Sequence, residues 1–281
     1  MSTNGMEART PLAKGAVWIA LAVLLLAYSL PFVYLLLTSF KTPFETIAVP
    51  PRFLPSQWTL ENYSRAFGGS GIVPSFVNSA TTAVLTTVIT LALAIPAAYG
   101  VSRFRIRAGR YFIALALLTR MVPPVVIGVP LASLLPKVGL GDTSIGLAIA
   151  HTSIALPLAI LLLASFYEAL PTELDEAAWI DGCGRLATLI RIVLPVTAGG
   201  AAVTALFVFL TSWNEFLFAL LLTARRAATT PIAIANFQTH YGLDWGAMTA
   251  LSAVYSVPVI LLTLLLQRHI VSGLSLGAVK G

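Results

Sequence analysis

The sequence predicts an all-α integral membrane protein of six transmembrane helices, with a cytoplasmic helical hairpin between the fourth and the fifth. Three observations carry that prediction. Of 281 residues 58% are hydrophobic and only 10% are charged, with a mean hydropathy of +0.90, whereas about a quarter of a soluble domain is charged. The apolar residues fall into six runs, each long enough to cross a hydrocarbon layer of ~30 Å as a helix. Lys and Arg are shared unequally between the intervals that separate those runs.

Taken in order, residues 1–15 read as a polar cytoplasmic tail carrying Arg9 and Lys14. The first transmembrane helix is expected at 16–40, too long for a signal-peptide core and without a convincing small-residue cleavage site. Residues 41–74 read as an ordered external segment, because they hold prolines 43, 50, 51 and 55 together with Phe53, Trp58, Tyr63 and Phe67. The five remaining helices occupy 75–267: about Ser75 to Val101, Tyr111 to Leu135, Ser144 to Tyr167, Thr197 to Leu222 and Gly246 to Gln267. Residues 268–281 read as a cytoplasmic C-terminal tail.

The interval 168–196 is the one long polar stretch between apolar runs that also carries helix signals. Thr172 and Asp175 have the spacing of a capping box. Leu174, Ala177, Ala178 and Asp181 recur at three and four residues, which would put two small alanines on one face. Gly182 and Gly184 suit the left-handed conformation that closes a helix. A second helix is expected over Arg185 to Val193, with Leu186, Leu189, Ile190 and Val193 on one side, and Pro195 prevents it from running on unbroken. From periodicity alone the hairpin is either a docking element or an amphipathic pair lying on lipid.

Six spans put both termini and the hairpin on one side. That side then holds ten basic residues, namely Arg9, Lys14, the four arginines from 103 to 110, Arg185, Arg191, Arg268 and Lys280. The opposite side holds six, Lys41, Arg52, Arg65, Lys137, Arg225 and Arg226, so the hairpin side is expected to be cytoplasmic. The same bias accounts for the net charge of +6 without a nucleic-acid partner. The single Cys183 excludes an intrachain disulfide and a multi-cysteine metal site.

Glu176, Ala177 and Ala178, then Gly182, then Ile192, Leu194 and Pro195 resemble the EAA loop of permease subunits of ATP-binding-cassette importers, and Asp181 before Gly182 is the form seen in its carbohydrate members. Leu60-Glu61-Asn62-Tyr63, Trp213-Asn214-Glu215-Phe216, Leu243-Asp244-Trp245-Gly246-Ala247 and the glycine-rich stretch Gly273 to Gly281 are similar to the maltose-type, binding-protein-dependent branch. The resemblance implies that the hairpin supplies coupling helices that dock on a separate ATPase. It implies as partners a second permease subunit, two ATP-binding subunits holding ATP and Mg, an extracytoplasmic solute-binding protein facing the loop before the last span, and a sugar substrate. It implies residence in a bacterial or archaeal cytoplasmic (inner) membrane, in contact with lipid. A permease of the same superfamily for glycerol phosphate, a polyamine or another small solute is the alternative, and a standalone secondary transporter a remote one.

Two charges lie inside expected spans, Arg120 and Glu215, where a charge costs at least ~2.5 kcal/mol at a helix centre. At 1.5 Å per residue Arg120 sits roughly 13 Å and Glu215 roughly 27 Å from the inner ends of their spans, which argues against a direct pair unless Pro123-Pro124 bends the third span. Trp213, Asn214 and Glu215 offer an indole face, an amide and a carboxylate, a combination suited to a polyhydroxylated solute, and with Arg120 they are the expected pathway residues. The competing reading is a structural polar cluster joining span five to a neighbour. Neither catalytic residues nor a metal or cofactor is expected in this chain. Gly273-Leu274-Ser275-Leu276-Gly277 fits G-x-S-x-G but lacks the preceding strand and the following acid and histidine. His151, His240 and His269 lie far apart, and no G-x-x-x-x-G-K-[ST] occurs, so a nucleotide site must come from a partner.

Overall fold

The computed structural model describes residues 11–69, 71–104, 109–239 and 242–278. In chain order the elements are α1 (Pro11–Ser39), α2 (Pro43–Thr46), α3 (Glu61–Phe67), α4 (Ile72–Arg103), α5 (Gly109–Thr119), α6 (Pro124–Leu134), a 3-10 turn (Pro136–Val138) and α7 (Ser144–Glu168). Then come α8 (Glu173–Ile180), α9 (Arg185–Thr188), a π turn (Leu189–Val193), α10 (Leu194–Val196), α11 (Ala198–Trp213), α12 (Leu217–Leu222), α13 (Thr230–Ala235), β1 (Gln238–Thr239), β2 (Gly242–Leu243) and α14 (Trp245–Ala278). The short antiparallel β1–β2 ladder departs from the all-α expectation; Gly242, at φ 122°, supplies a backbone conformation that favours glycine.

Four helices are long and apolar enough to cross a membrane unaided: Val17–Ser39, Ile72–Arg103, Ser144–Glu168 and Trp245–Gln267. These match the expected first, second, fourth and sixth spans. The expected third and fifth are not continuous. The third is cut into α5 and α6 at Arg120 to Pro123, where Pro124 opens a new helix. The fifth is cut at Asn214 to Phe216 into α11 and the six-residue α12, although no proline or glycine stands there. The last helix runs on to Ala278, through most of the stretch expected as a tail. Arg105, Arg107, His240 and Lys280 lie outside the described residues.

The chain divides into two compact units, Met1–Gly69 with Phe237–Val254, and Ser70–Asn236 with Tyr255–Gly281. In the first, α1 exposes Trp18, Ile19, Val23 and Leu24 around its circumference, as a lipid-facing helix does. The segment after it is held by buried polar groups. Lys41 donates to the Arg52 carbonyl at 2.7 Å and lies over the Tyr34 ring, and Asn62 donates to the carbonyls of Ser39 and Lys41. Arg65 donates to Asn62 Oδ1 and pairs with Asp244 at 2.7 Å, while Asp244 Oδ1 accepts the Ala247 N–H in the first turn of α14. That first turn comes so close to α3 that a Cβ at Gly246 would overlap Asn62 Oδ1.

In the second unit α4, α7 and α11 pack around Ala94, Ala98, Ala155, Ala159, Leu163 and Val208. Small side chains let membrane helices approach closely where lipid supplies no hydrophobic drive. A second cluster joins Leu135, Leu147, Ala150, Phe218, Ala219 and Leu222, tying α12 to α7 and the end of α6. Two hydroxyls on α4 bond neighbouring helices: Thr86 accepts from Ser212 at 3.1 Å and Thr90 donates to Thr152 at 3.4 Å.

Candidate functional site

The hairpin between α7 and α11 is built from strictly local signals at its tip. Helix α8 ends at Asp181, Gly182 takes φ 85°, the Gly182 N–H returns to the Trp179 carbonyl and the Cys183 N–H to that of Ala178. This is a Schellman closure, with glycine where an L side chain would be strained. Gly184, expected to be left-handed as well, is extended at φ −71°, ψ 160° and precedes α9.

The second half of the hairpin is not one regular helix. Pro195 has no N–H to return to Arg191, and the ladder slips there to a π turn in which the Leu194 N–H bonds the Leu189 carbonyl. Helices Arg185–Val196 and Ala198–Trp213 then meet at 85°. The wider turn splits the expected apolar face. Leu189 and Val193 are buried against α4 and α7, whereas Leu186 and Ile190 are exposed.

The capping box expected at the start of α8 is not formed. Thr172 has helical backbone angles and makes no side-chain cap, and Asp175 turns inward instead. Its carboxylate accepts from the Tyr99 hydroxyl at 2.7 Å and lies 3.0 Å from Arg103 Nε, with both side chains of the ion pair almost fully buried. Arg103 Nη1 donates to the Leu170 carbonyl at 3.0 Å. Phe104, next to Arg103, stacks on Trp179 and carries the Arg185 guanidinium on its ring. A partner that a buried charge cannot do without outcompetes an optional cap. The inward turn also separates the two alanines: Ala178 is buried with Asp175, while Ala177 faces out. Glu176, Ala177, Asp181, Gly182 and Pro195 are exposed, with Ile180 and Leu186 among them, and Ile192 and Leu194 are half-buried.

The residues expected to line a pathway lie at two breaks in apolar helices. Trp213 closes α11, buried and stacked on Tyr255 and Phe209, and the Tyr255 hydroxyl donates to its carbonyl. Asn214 is exposed. Glu215 turns back to accept the N–H of Phe218 at 2.9 Å and of Ala219 at 3.2 Å, capping α12. It also lies 3.2 Å from His151 Nε2, and His151 Nδ1 meets Ser212 Oγ at 2.7 Å. Glu215 therefore belongs to a buried polar cluster across α7 and α11. Arg120 is exposed at the other break, beside a cavity of about 150 Å³ whose lining includes Thr119, Ser153 and Thr211. Among the described residues it forms no ion pair with Glu215.

At the opposite end of α4 from the hairpin, the stretch from Thr223 to Thr230 is clamped. Asp142, itself at φ 50°, accepts the backbone N–H groups of Ala224, Arg225, Arg226 and Ala227. Partial burial pushes its carboxyl up, but the four donors outweigh burial and hold it at about 2, below its ordinary 3.8. Asn78 donates to the carbonyls of Arg226 and Ala228, and Ser79 accepts the Thr230 N–H. Neither the Asp142 cradle nor the His151–Glu215 contact is marked by local sequence pattern; their members are tens of residues apart.

Comparison with known proteins agrees with this architecture. Residues 71–276 match the family described as binding-protein-dependent transport system inner membrane component. The trehalose transport system permease protein SugB of Mycobacterium tuberculosis is 36% identical over 272 residues, covering 95% of this chain and 98% of that one. The trehalose/maltose transport system permease protein MalG of Thermococcus litoralis is 38% identical over 261 residues, 89% of this chain and 91% of that one. A chain of a bacterial ATP-binding-cassette transporter involved in import of the acidic polysaccharide alginate superposes with a TM-score of 0.76 at 20% identity, covering 95% of this chain and 99% of that chain. The chain belongs to the binding-protein-dependent transport system inner membrane component family and is a multi-pass permease subunit of an ATP-binding-cassette importer.

Proposed function

We propose that this permease serves a sugar importer, that α5 with α6 and α11 with α12 complete six crossings with both termini cytoplasmic, and that hairpin 168–196 docks on a separate ATP-binding subunit. The observation that carries the docking role is the two-sidedness of the hairpin. Its inner face is locked by Asp175, Ala178, Leu189 and Val193, while Glu176, Ala177, Ile180, Asp181, Gly182 and Leu186 stand exposed on a turn closed by a glycine. A rigid element with small and apolar groups outward suits a groove on a partner. Two such partners, carrying ATP and Mg, would drive this chain and a second permease subunit between inward-facing and outward-facing states, so this chain itself breaks no covalent bond. A solute-binding protein would deliver sugar to the side bearing Thr223 to Trp245.

The names of the relatives, trehalose and maltose systems among them, support the substrate class. For the pathway, Arg120 and Asn214 present polar groups at breaks in apolar helices, and Trp213 and Glu215 shape the second break. Gly182→Leu tests the docking role. A Cβ there meets nothing inside the chain and leucine is not β-branched, so the variant carries about 1–2 kcal/mol of left-handed strain and a bulkier outer surface. In vesicles holding the complete transporter, ATP turnover is expected to persist while sugar uptake falls. Normal uptake by a correctly inserted variant would refute the docking role.

A further inference from the structure

Helix α4 is gripped at both ends by residues of other elements. At one end Tyr99 and Arg103 hold Asp175, Arg103 also holds the Leu170 carbonyl, and Phe104 contacts both Trp179 and Arg185, so the end of α4 meets both α8 and α9. At the other end Asn78 and Ser79 hold Arg226, Ala228 and Thr230, in the stretch that Asp142 clamps from the α6–α7 turn. The Arg103 and Asp175 side chains, Ser79 and Thr230 are buried, whereas the Asn78–Arg226 bond is exposed; between the grips the helix continues from Ile72 to Arg103 through Pro96, which removes one backbone bond. Twenty-five residues separate Asn78 from Arg103, a rise of about 38 Å, which is more than the apolar thickness of a bilayer.

We propose that α4 is a strut that transmits the state of the Thr223–Thr230 stretch to the coupling hairpin, with Asn78 and the Arg103–Asp175 pair as its positioning residues. The inference rests on the reading of the chain as a binding-protein-dependent permease and specifies how docking on one face is relayed to the other. The hairpin's covalent links, through α7 and through the 85° bend into α11, carry motion between hairpin and core. The α4 grips add a connection through side chains that runs beside α7, whose opening turn meets the same stretch through Asp142. A helix held by a buried charge pair at one end and by amide and hydroxyl bonds at the other moves as one body or releases a grip. Either response couples the two ends.

The test is a double-variant cycle in the complete transporter, reconstituted in lipid nanodiscs with its partner permease, ATP-binding subunits and loaded binding protein. The readout is the factor by which the binding protein accelerates ATP hydrolysis. Asn78→Ala cuts one grip and Asp175→Asn the other. Each alone is expected to lower the acceleration about five- to tenfold, and the double variant no further than the stronger single, because a strut cut once has nothing left to transmit. Unlinked lesions ~38 Å apart multiply, so a double variant showing the product of the two single losses overturns the strut. If Asp175→Asn fails to co-purify with the complex, Tyr99→Phe, which removes one hydroxyl, takes its place in the cycle. A wild-type complex that the binding protein does not accelerate removes the transporter reading and the strut with it; an accelerated wild type with multiplying losses removes the strut alone.

Discussion

Replacing Asp142 by Asn should loosen the stretch after α12 without disturbing the backbone that carries it. Asn tolerates the φ of 50° seen at this position, so the turn itself is kept. The carboxylate divides its four donors evenly, Oδ1 taking Ala224 and Ala227 and Oδ2 taking Arg225 and Arg226. An amide can present only one oxygen, so two N–H groups would face an NH₂ donor and the other two would lose the charge. Bonds to a charged acceptor contribute about 1.5–3 kcal/mol each, but three of these four are exposed and water can replace them, which brings the local cost to about 2 kcal/mol. That corresponds to roughly thirtyfold faster opening, read as hydrogen–deuterium exchange of the amides at 224–227 in the detergent-solubilised protein, with the α7 core as internal control. The pH dependence has a definite sign. Because the folded carboxyl titrates at about 2 instead of 3.8, its stabilisation is fully present above pH 4 and is lost as pH falls through 2; the Asn variant should show no such dependence. Unchanged exchange at 224–227 in the variant would mean that the carboxylate does not hold this segment.

Thr172→Ala should change the melting temperature in detergent by less than the equivalent of about 0.5 kcal/mol, because the side chain makes no cap; a loss near the ~1 kcal/mol typical of an N-cap would restore the capping box. Gly246→Ala should destabilise the first unit by about 1–3 kcal/mol, since the new methyl overlaps Asn62 Oδ1. Combining it with Asn62→Ala, which frees that space, should cost less than the sum of the two single losses in the same thermal assay, and strict additivity would show that the two positions are not in contact.

How far the fold can be read from sequence depends on whether the deciding interaction is local. The spans over Ile72–Arg103 and Ser144–Glu168 follow from apolar length alone, and the turn at Gly182 from a glycine at the close of an amphipathic run. Asp175 shows the opposite case. Its spacing from Thr172 points to a cap, but Arg103, more than seventy residues earlier, claims the carboxylate, and Arg103 itself reads in sequence only as part of a basic cluster. His151 likewise reads as an isolated histidine until folding brings Glu215 to it. The break at Arg120 was foreshadowed by Pro123-Pro124. The one at Asn214 was not, because it is made by Glu215 capping a new helix and not by a residue unable to continue the old one. The family resemblance singles out Glu176 to Pro195 in the sequence, but not the grip beneath it, which buries Ala178 together with Asp175.

The 85° junction at Thr197 makes the hairpin and α11 a bell crank. Rolling the short arm about its own axis swings the long arm sideways through the same angle, with no stretching of either. Helix α11 has sixteen residues, a length of about 24 Å, so a roll of about 10° displaces its far end by about 4 Å. That far end is Trp213, where α11 stops and Glu215 begins the next segment. By this geometry a small turn at the polar hairpin would be felt, enlarged, at the break between α11 and α12.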